Sequence, residues 1–129
     1  MDNIVKAMQA KQGFVALKGA SAEQITKAEA ALGVKFSEDY QKYVSAFGIA
    51  SFENHELTGI CASPRLNVVD VTLAERSKNP ELPTDWYVLE QMNIDDVTIW
   101  QSSTGDVYQS LSGAKIIKLC GSLFEYLDL

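Results

Sequence analysis

Residues 32–48, with the sequence LGVKFSEDYQKYVSAFG, constrain the fold more than any other segment of the chain. Gly33 stands where the end of a helix favours a left-handed residue, and Ser37 stands where the next helix needs an N-cap. The link between them is too short to separate two helices widely, and it contains the apolar residues Val34 and Phe36. The pattern therefore predicts two helices that pack against each other across a short buried connection.

Both helices carry further helix signals. Ser21 and Gln24 have the spacing of a capping box at the start of the first helix. Glu38 and Asp39 follow Ser37 and suit the positive end of the second helix. Apolar side chains then recur in the second helix at the spacing of one helical face, at Tyr40, Tyr43, Val44 and Phe47. We interpret the segment as a packing unit rather than an active site.

The rest of the chain is dominated by strand patterns. Five segments read as short strands, at residues 55–60, 66–69, 86–92, 97–102 and 107–111. A brief helix that begins at Asp70 is expected to extend to Ser77, and Ser122 is expected to cap a last helix. Helices first, an antiparallel sheet next and a closing helix predict an α+β fold with N-terminal helices packed on the sheet. We expect a single domain over residues 1–129.

Composition limits the compartment and the chemistry. The chain has no apolar run of membrane-spanning length, and its first residues lack the apolar core of a secretion signal. Cys61 and Cys120 are too few and too far apart for a disulfide framework or a zinc site. We therefore expect a cytoplasmic protein with two reduced thiols.

Negative charge is concentrated in the second part of the chain. Residues 1–48 hold five acids and six bases, a net charge of +1, whereas residues 49–129 hold twelve acids and five bases, a net charge of −7. Residues 79–114 contain six acids and no Lys or Arg. This distribution disfavours direct binding to nucleic acid, which requires clustered cations. Its natural complement is a basic protein partner, although acidity that only keeps a domain in solution is an alternative interpretation.

The hairpin of residues 97–111 is the part of the sheet most suggestive of binding. A three-residue loop ending at Gly105 places Trp100 opposite Tyr108 and Ser102 opposite Asp106. The other face is mainly aliphatic, so we expect it to lie under the helices and to leave Trp100 and Tyr108 partly exposed among acids. Such aromatic residues are typical interface anchors. The alternative is that they fill a second small core under residues 49–66.

Signals for catalysis are weak. His55 is the single histidine, and neighbouring Glu56 points to the opposite side of a strand, so the two do not form an acid–base pair. Neither cysteine has a base that the sequence identifies. Asp95, Asp96 and Asp106 could gather at one end of the hairpin and hold a hard cation, which leaves a metal-assisted enzyme as a minor alternative. We expect a protein that is not an enzyme.

Several short motifs resemble the SUKH superfamily, which includes the Smi/Knr-type proteins named for fungal regulators of cell-wall glucan synthesis. The motifs are Gly19-Ala-Ser21, Leu32-Gly33, Phe36-Ser-Glu-Asp-Tyr40, Phe47-Gly48, Glu56-Leu-Thr-Gly-Ile60, Trp86-Tyr-Val-Leu89, Thr104-Gly-Asp-Val-Tyr108 and Ser122-Leu-Phe-Glu-Tyr-Leu127. The resemblance extends from about residue 19 to the end. Ser37 departs from the proline often found at that position in the family, and residues 93–96 lack an expected glycine.

The resemblance implies a function without catalytic residues or cofactors, because many bacterial members are immunity proteins that bind and neutralise a polymorphic toxin. Together with the charge pattern, it predicts an immunity protein whose acidic surface binds a basic toxin domain, a nuclease or another toxin that acts on nucleic acid. The expected contact residues are Glu90, Asp95, Asp96, Trp100, Asp106 and Tyr108. The alternative is a scaffold or regulatory domain without a toxin, closer to the fungal namesakes.

Overall fold

A computed structural model describes residues 3–92, 97–111 and 116–129. The elements in chain order are α1 (Ile4–Gln9), β1 (Val15–Ala16), α2 (Ala22–Leu32), α3 (Glu38–Phe47), β2 (Ala50–Phe52), β3 (His55–Glu56), α4 (Val68–Lys78), β4 (Tyr87–Gln91), β5 (Thr98–Gln101), β6 (Val107–Ser110), β7 (Ile116–Cys120) and α5 (Leu123–Tyr126). The last four strands form an antiparallel meander, and β1, β2 and β3 form a smaller sheet. The expected α+β class is confirmed.

The helix signals in the first part of the chain have the predicted structures. Ser21 and Gln24 make both hydrogen bonds of the capping box at the start of α2. Gly33 ends that helix with a φ angle of 67°, a left-handed conformation that glycine adopts without strain. The Ser37 hydroxyl accepts a hydrogen bond from the Tyr40 amide at 3.3 Å and caps α3. Local sequence therefore sets the bounds of both helices.

The helix α4 begins earlier than predicted. Asn67 is its N-cap, and the Asn67 side chain accepts a hydrogen bond from the Val69 amide at 2.9 Å. Asp70 instead lies in the first turn, where its charge faces the positive end of the helix. The strand expected at residues 66–69 is therefore wrong, because Asn67 is the helix cap and Val68 and Val69 form the first turn of α4, with Val68 buried in the main core.

An aromatic cluster joins α3 to the larger sheet. The rings of Phe36 and Tyr87 meet edge to face with centroids 4.8 Å apart, and Tyr40 lies 5.0 Å from Tyr87. The Tyr87 hydroxyl accepts from the Ser37 amide at 2.9 Å and donates to the side chain of Gln101 at 2.8 Å. Burial raises the pKa of the Tyr40 and Tyr87 hydroxyls, so they act here as neutral hydrogen-bonding groups. The helices are thus fixed on one face of the sheet.

The register of the β5–β6 hairpin is as predicted. Trp100 lies opposite Tyr108, and the Ser102 amide donates to the Asp106 carbonyl at 2.9 Å. Gly105 has a φ angle of 106°, which explains why this loop position favours glycine. Because the register is fixed, it also fixes which hairpin side chains share a face of the sheet.

Candidate protein-interaction surface

The inner face of the larger sheet lies under the helices, as the sequence predicted. Ile99 and Val107 are buried in the main core, and the partly buried Val97 packs against it. Gln101 is also buried on this face, where its amide donates to the Gly105 carbonyl at 3.0 Å. The assignment of the aliphatic face is therefore confirmed.

Trp100, on the outer face, is not the exposed anchor that the sequence suggested. It is only 1% exposed, and it packs in a second small core with Val71, Trp86 and Val88. The Trp100 indole N–H donates to the Ser110 hydroxyl at 2.9 Å, so its polar atom is satisfied inside the protein. The alternative interpretation, in which Trp100 fills a second small core, is correct about the core itself. However, α4 and the segment that ends at Trp86 cover the indole, rather than residues 49–66.

Tyr108 remains partly accessible at the rim of this second core. Its ring stacks on that of Trp86, with centroids 4.2 Å apart and an angle of 14° between the planes. Lys118 and Ile116, which lie on the same outer face of β7, are exposed. α4 packs on β4, at the opposite edge of the sheet. The outer face of β6 and β7 is therefore the more open half of the sheet.

Glu90 is a buried structural group rather than a surface charge. Glu90 is 2% exposed. Its carboxylate accepts hydrogen bonds from the Tyr126 hydroxyl at 2.6 Å and from the Glu56 amide at 2.6 Å. The His55 Nδ1 atom lies 2.9 Å from the same carboxylate. Glu90 thereby joins β3, β4 and α5, and its predicted position on an acidic surface is wrong. A bulge in β4 between Val88 and Glu90 breaks the strict alternation of the strand.

The His55–Glu90 pair makes stability depend on pH. The hydrogen bond with Glu90 raises the pKa of His55 above its ordinary value, although burial opposes the rise. The stabilisation is therefore fully present below the unfolded value of about 6.5 and is lost as pH rises through the higher folded pKa. We expect the free energy of unfolding of the wild-type protein to fall over this range. Urea denaturation at several pH values tests this, and His55→Gln should give a flatter profile. Equal profiles for the two proteins would contradict the assignment.

Two acids remain accessible near the tip of the β5–β6 hairpin. Asp85 is exposed, and its carboxylate accepts from the Ser103 amide at 3.4 Å. Asp106 is half-buried, and it forms an ion pair with Lys118 at 3.2 Å. We call Asp85, Ser103, Thr104, Asp106 and Tyr108 the hairpin-tip surface. It retains two of the six contact residues predicted from the sequence, Asp106 and Tyr108, and adds three others.

The other two predicted contact residues, Asp95 and Asp96, lie outside the described residues. The structure therefore brings together Asp106 and Tyr108, separates Glu90 and Trp100 from the surface, and describes neither Asp95 nor Asp96. Asp85 could have been found from the sequence, because it precedes Trp86 in a proline-bearing segment with acids and no Lys or Arg. No local sequence pattern predicts that Trp86 stacks on Tyr108, because the two residues are far apart in the chain.

The described parts of the chain contain no group of three or more His, Cys, Asp or Glu side chains that could hold a metal ion. The cluster of Asp95, Asp96 and Asp106 considered above lies partly outside those parts. Over the same residues, no helix is long and apolar enough to cross a membrane. Cys61 and Cys120 are free thiols.

The sequence of the chain matches the model of one known protein family. A family model described as SUKH_5, SMI1-KNR4 cell-wall, covers residues 1–113, most of the chain. The chain belongs to the SUKH family. The match confirms the resemblance inferred from the motifs over residues 1–113. It begins earlier than those motifs, since it includes α1, and it ends before the motif of residues 122–127. No curated protein matches this SUKH chain.

Within this SUKH domain, the family motifs mainly occupy structural positions. Among the motif residues inside the match, Phe36 and Tyr40 pack against Tyr87, which links the sheet to α3. The hairpin-tip surface also overlaps one motif, at Thr104, Asp106 and Tyr108. A fold held by such positions can vary its exposed residues, so function must be argued from the surface rather than from the fold alone.

Proposed function

We propose that this SUKH protein is an immunity protein that binds and neutralises a protein toxin without chemistry of its own. Membership of the SUKH family, shown by the match over residues 1–113, is the observation that carries the proposal. The net charge of −6 supports it, because a basic toxin domain is the electrostatic complement of an acidic protein. The proposal needs no catalytic residue, cofactor or metal ion.

The hairpin-tip surface is the contact region that we propose. Asp85 accepts a hydrogen bond from the Ser103 amide, and Asp106 accepts one from the Thr104 hydroxyl, so both acids contact the same loop. The partly accessible ring of Tyr108 lies beside them. An aromatic ring flanked by acids suits a basic cleft, because the ring buries apolar area and the charges accelerate association. Asp95 and Asp96 remain predicted contacts from the sequence, and a toxin that acts on nucleic acid is the preferred partner because its substrate cleft tends to be basic.

The decisive experiment is co-expression with the toxin encoded by the adjacent reading frame. The expected result is that the wild-type chain restores growth of cells that produce the toxin. A catalytically inactive toxin domain should also form a complex with the purified chain. If the chain neither restores growth nor forms a complex, the immunity function is wrong.

Reversal of one charge at the hairpin tip should slow association with the toxin. We expect Asp85→Lys to reduce the association rate at low ionic strength by about three- to tenfold and to weaken its dependence on salt, because charge steers encounter. Glu23→Lys is the matched control, because it makes the same change of charge at an exposed acid outside the hairpin-tip surface. Glu23 lies on α2, which packs on α3 and α4. Stopped-flow measurements at several salt concentrations provide the test. Equal association rates for the two variants would show that Asp85 lies outside the interface.

A regulatory domain is the second candidate function, favoured by the cell-wall description of the matching family model. Under this alternative, Asp85→Lys would leave survival under the toxin unchanged and would disturb a cellular pathway instead. Growth of the variant with and without the toxin separates the two functions.

A further inference from the structure

The two edges of the larger sheet differ in how they are covered. At the β4 edge, the Thr58 amide donates to the Leu89 carbonyl at 2.8 Å, and the Thr58 hydroxyl donates to the Val88 carbonyl at 2.7 Å. At the other edge, β7 pairs with β6 and with no further strand among the described residues. An edge strand presents backbone N–H and C=O groups that can pair with another strand.

Exposed isoleucines lie on both faces of β7. Ile116 is opposite Ser110 on the outer face and is 47% exposed, whereas Ile117 is opposite Gln109 on the inner face and is 45% exposed. A partner that packs on one face of the sheet covers only one of these side chains. A strand added in the plane of the sheet contacts both, because its own side chains alternate between the two faces.

A groove on the inner face lies next to β7. It has a volume of about 540 Å³, and its apolar lining includes Met92, Val97, Ile99, Leu119 and Tyr126. Alternate apolar side chains of an added strand can enter this groove, which is how such complexes obtain specificity. The groove therefore favours an extended segment with aliphatic residues at every second position.

The lysine on β7 does not protect the edge in the usual way. Lysine on an edge strand commonly prevents further pairing. Here the Lys118 ammonium lies 3.2 Å from the Asp106 carboxylate, so the side chain points towards the neighbouring strand β6.

We propose that β7 binds an extended aliphatic segment of the basic toxin partner by adding that segment as a fifth strand of the larger sheet. The inference rests on the proposed function, which supplies the partner. Charge favours that partner over a second copy, because each copy carries a net charge of −6 and two copies repel each other. In addition, a symmetric antiparallel pair centred on Lys118 would place two lysines directly opposite each other.

The experiment compares two edge strands that carry exposed aliphatic residues. The test variant is Ile116→Lys/Ile117→Lys on β7. The matched control is Val15→Lys/Leu17→Lys, which makes the same change of charge at side chains 63% and 54% exposed, at β1 and the residue that follows it. The probe is the purified, catalytically inactive toxin domain encoded by the adjacent reading frame. Titration calorimetry should show at least about a thirtyfold loss of affinity for the test variant and less than about a threefold change for the control.

Hydrogen exchange of the wild-type complex provides a measurement that needs no substitution. Added backbone pairing should slow exchange of amides in residues 116–120 when the toxin domain binds. If the toxin domain binds without such slowing and both double variants bind like the wild type, strand addition is wrong and the proposed function stands. If the wild type does not bind, both proposals fail. If the free chain forms a dimer that the β7 variant abolishes and the control retains, the edge belongs to a second copy and the proposal is overturned.

Discussion

Replacement of Trp100 by alanine is expected to lower the free energy of unfolding by about 3–5 kcal/mol, the usual cost of truncating a buried aromatic side chain. The indole is 1% exposed and lies between Val71, Trp86 and Val88, so its removal leaves a cavity in the second core. The Ser110 hydroxyl also loses the hydrogen bond from the indole N–H. Chemical denaturation followed by circular dichroism measures the effect.

The controls separate packing from partner contact. Trp100→Phe keeps much of the apolar volume and should cost less than the alanine variant, although it also loses the hydrogen bond to Ser110. Tyr108→Ala should cost less than Trp100→Ala because the Tyr108 ring is partly exposed, and it should weaken toxin binding more directly. If Trp100→Ala retained wild-type stability while it abolished toxin binding, the indole would be an anchor after all.

Replacement of Glu90 by alanine is the second substitution with a large expected effect, about 3–5 kcal/mol of destabilisation. The carboxylate forms hydrogen bonds with the Tyr126 hydroxyl, the Glu56 amide and the His55 ring. Alanine leaves all three groups without this partner. Each buried donor that loses its acceptor costs about 1–3 kcal/mol. Together these costs exceed the desolvation cost that disappears when the buried carboxylate is removed. Thermal and urea denaturation measure the loss.

Two further variants control for shape and for charge. Glu90→Gln keeps an acceptor oxygen but replaces the other with an NH₂ group, so it should have an intermediate effect. Glu81→Ala removes an exposed acid from the same part of the sequence and should change stability by less than about 0.5 kcal/mol. Similar stabilities for Glu90→Ala and Glu81→Ala would show that the network around Glu90 is weak.

The sequence predicted α2 and α3 well because local physical rules govern them. Ser21, Gly33 and Ser37 satisfy the backbone groups at helix ends, and these contacts involve residues only a few positions apart. The register of the β5–β6 hairpin was equally predictable, since loop length and Gly105 determine it. The aliphatic face of the hairpin followed from its alternation.

The candidate site was less predictable because it depends on contacts between distant segments. Alternation places Trp100 and Tyr108 on one face, but it does not say that α4 covers Trp100 and leaves Tyr108 partly accessible. Glu90 resembles other acids in its segment, and only β3 and α5 make it a buried acceptor. Burial of these residues is a tertiary property that overrides the local pattern.

The position of α5 has a consequence for synthesis on the ribosome. Tyr126 on α5 supplies a donor to Glu90, and Asp39 on α3 accepts from the Phe124 amide at 3.1 Å. Leu123 and Tyr126 are also buried in the main core, so a nascent chain cannot complete that core until both residues have left the exit tunnel.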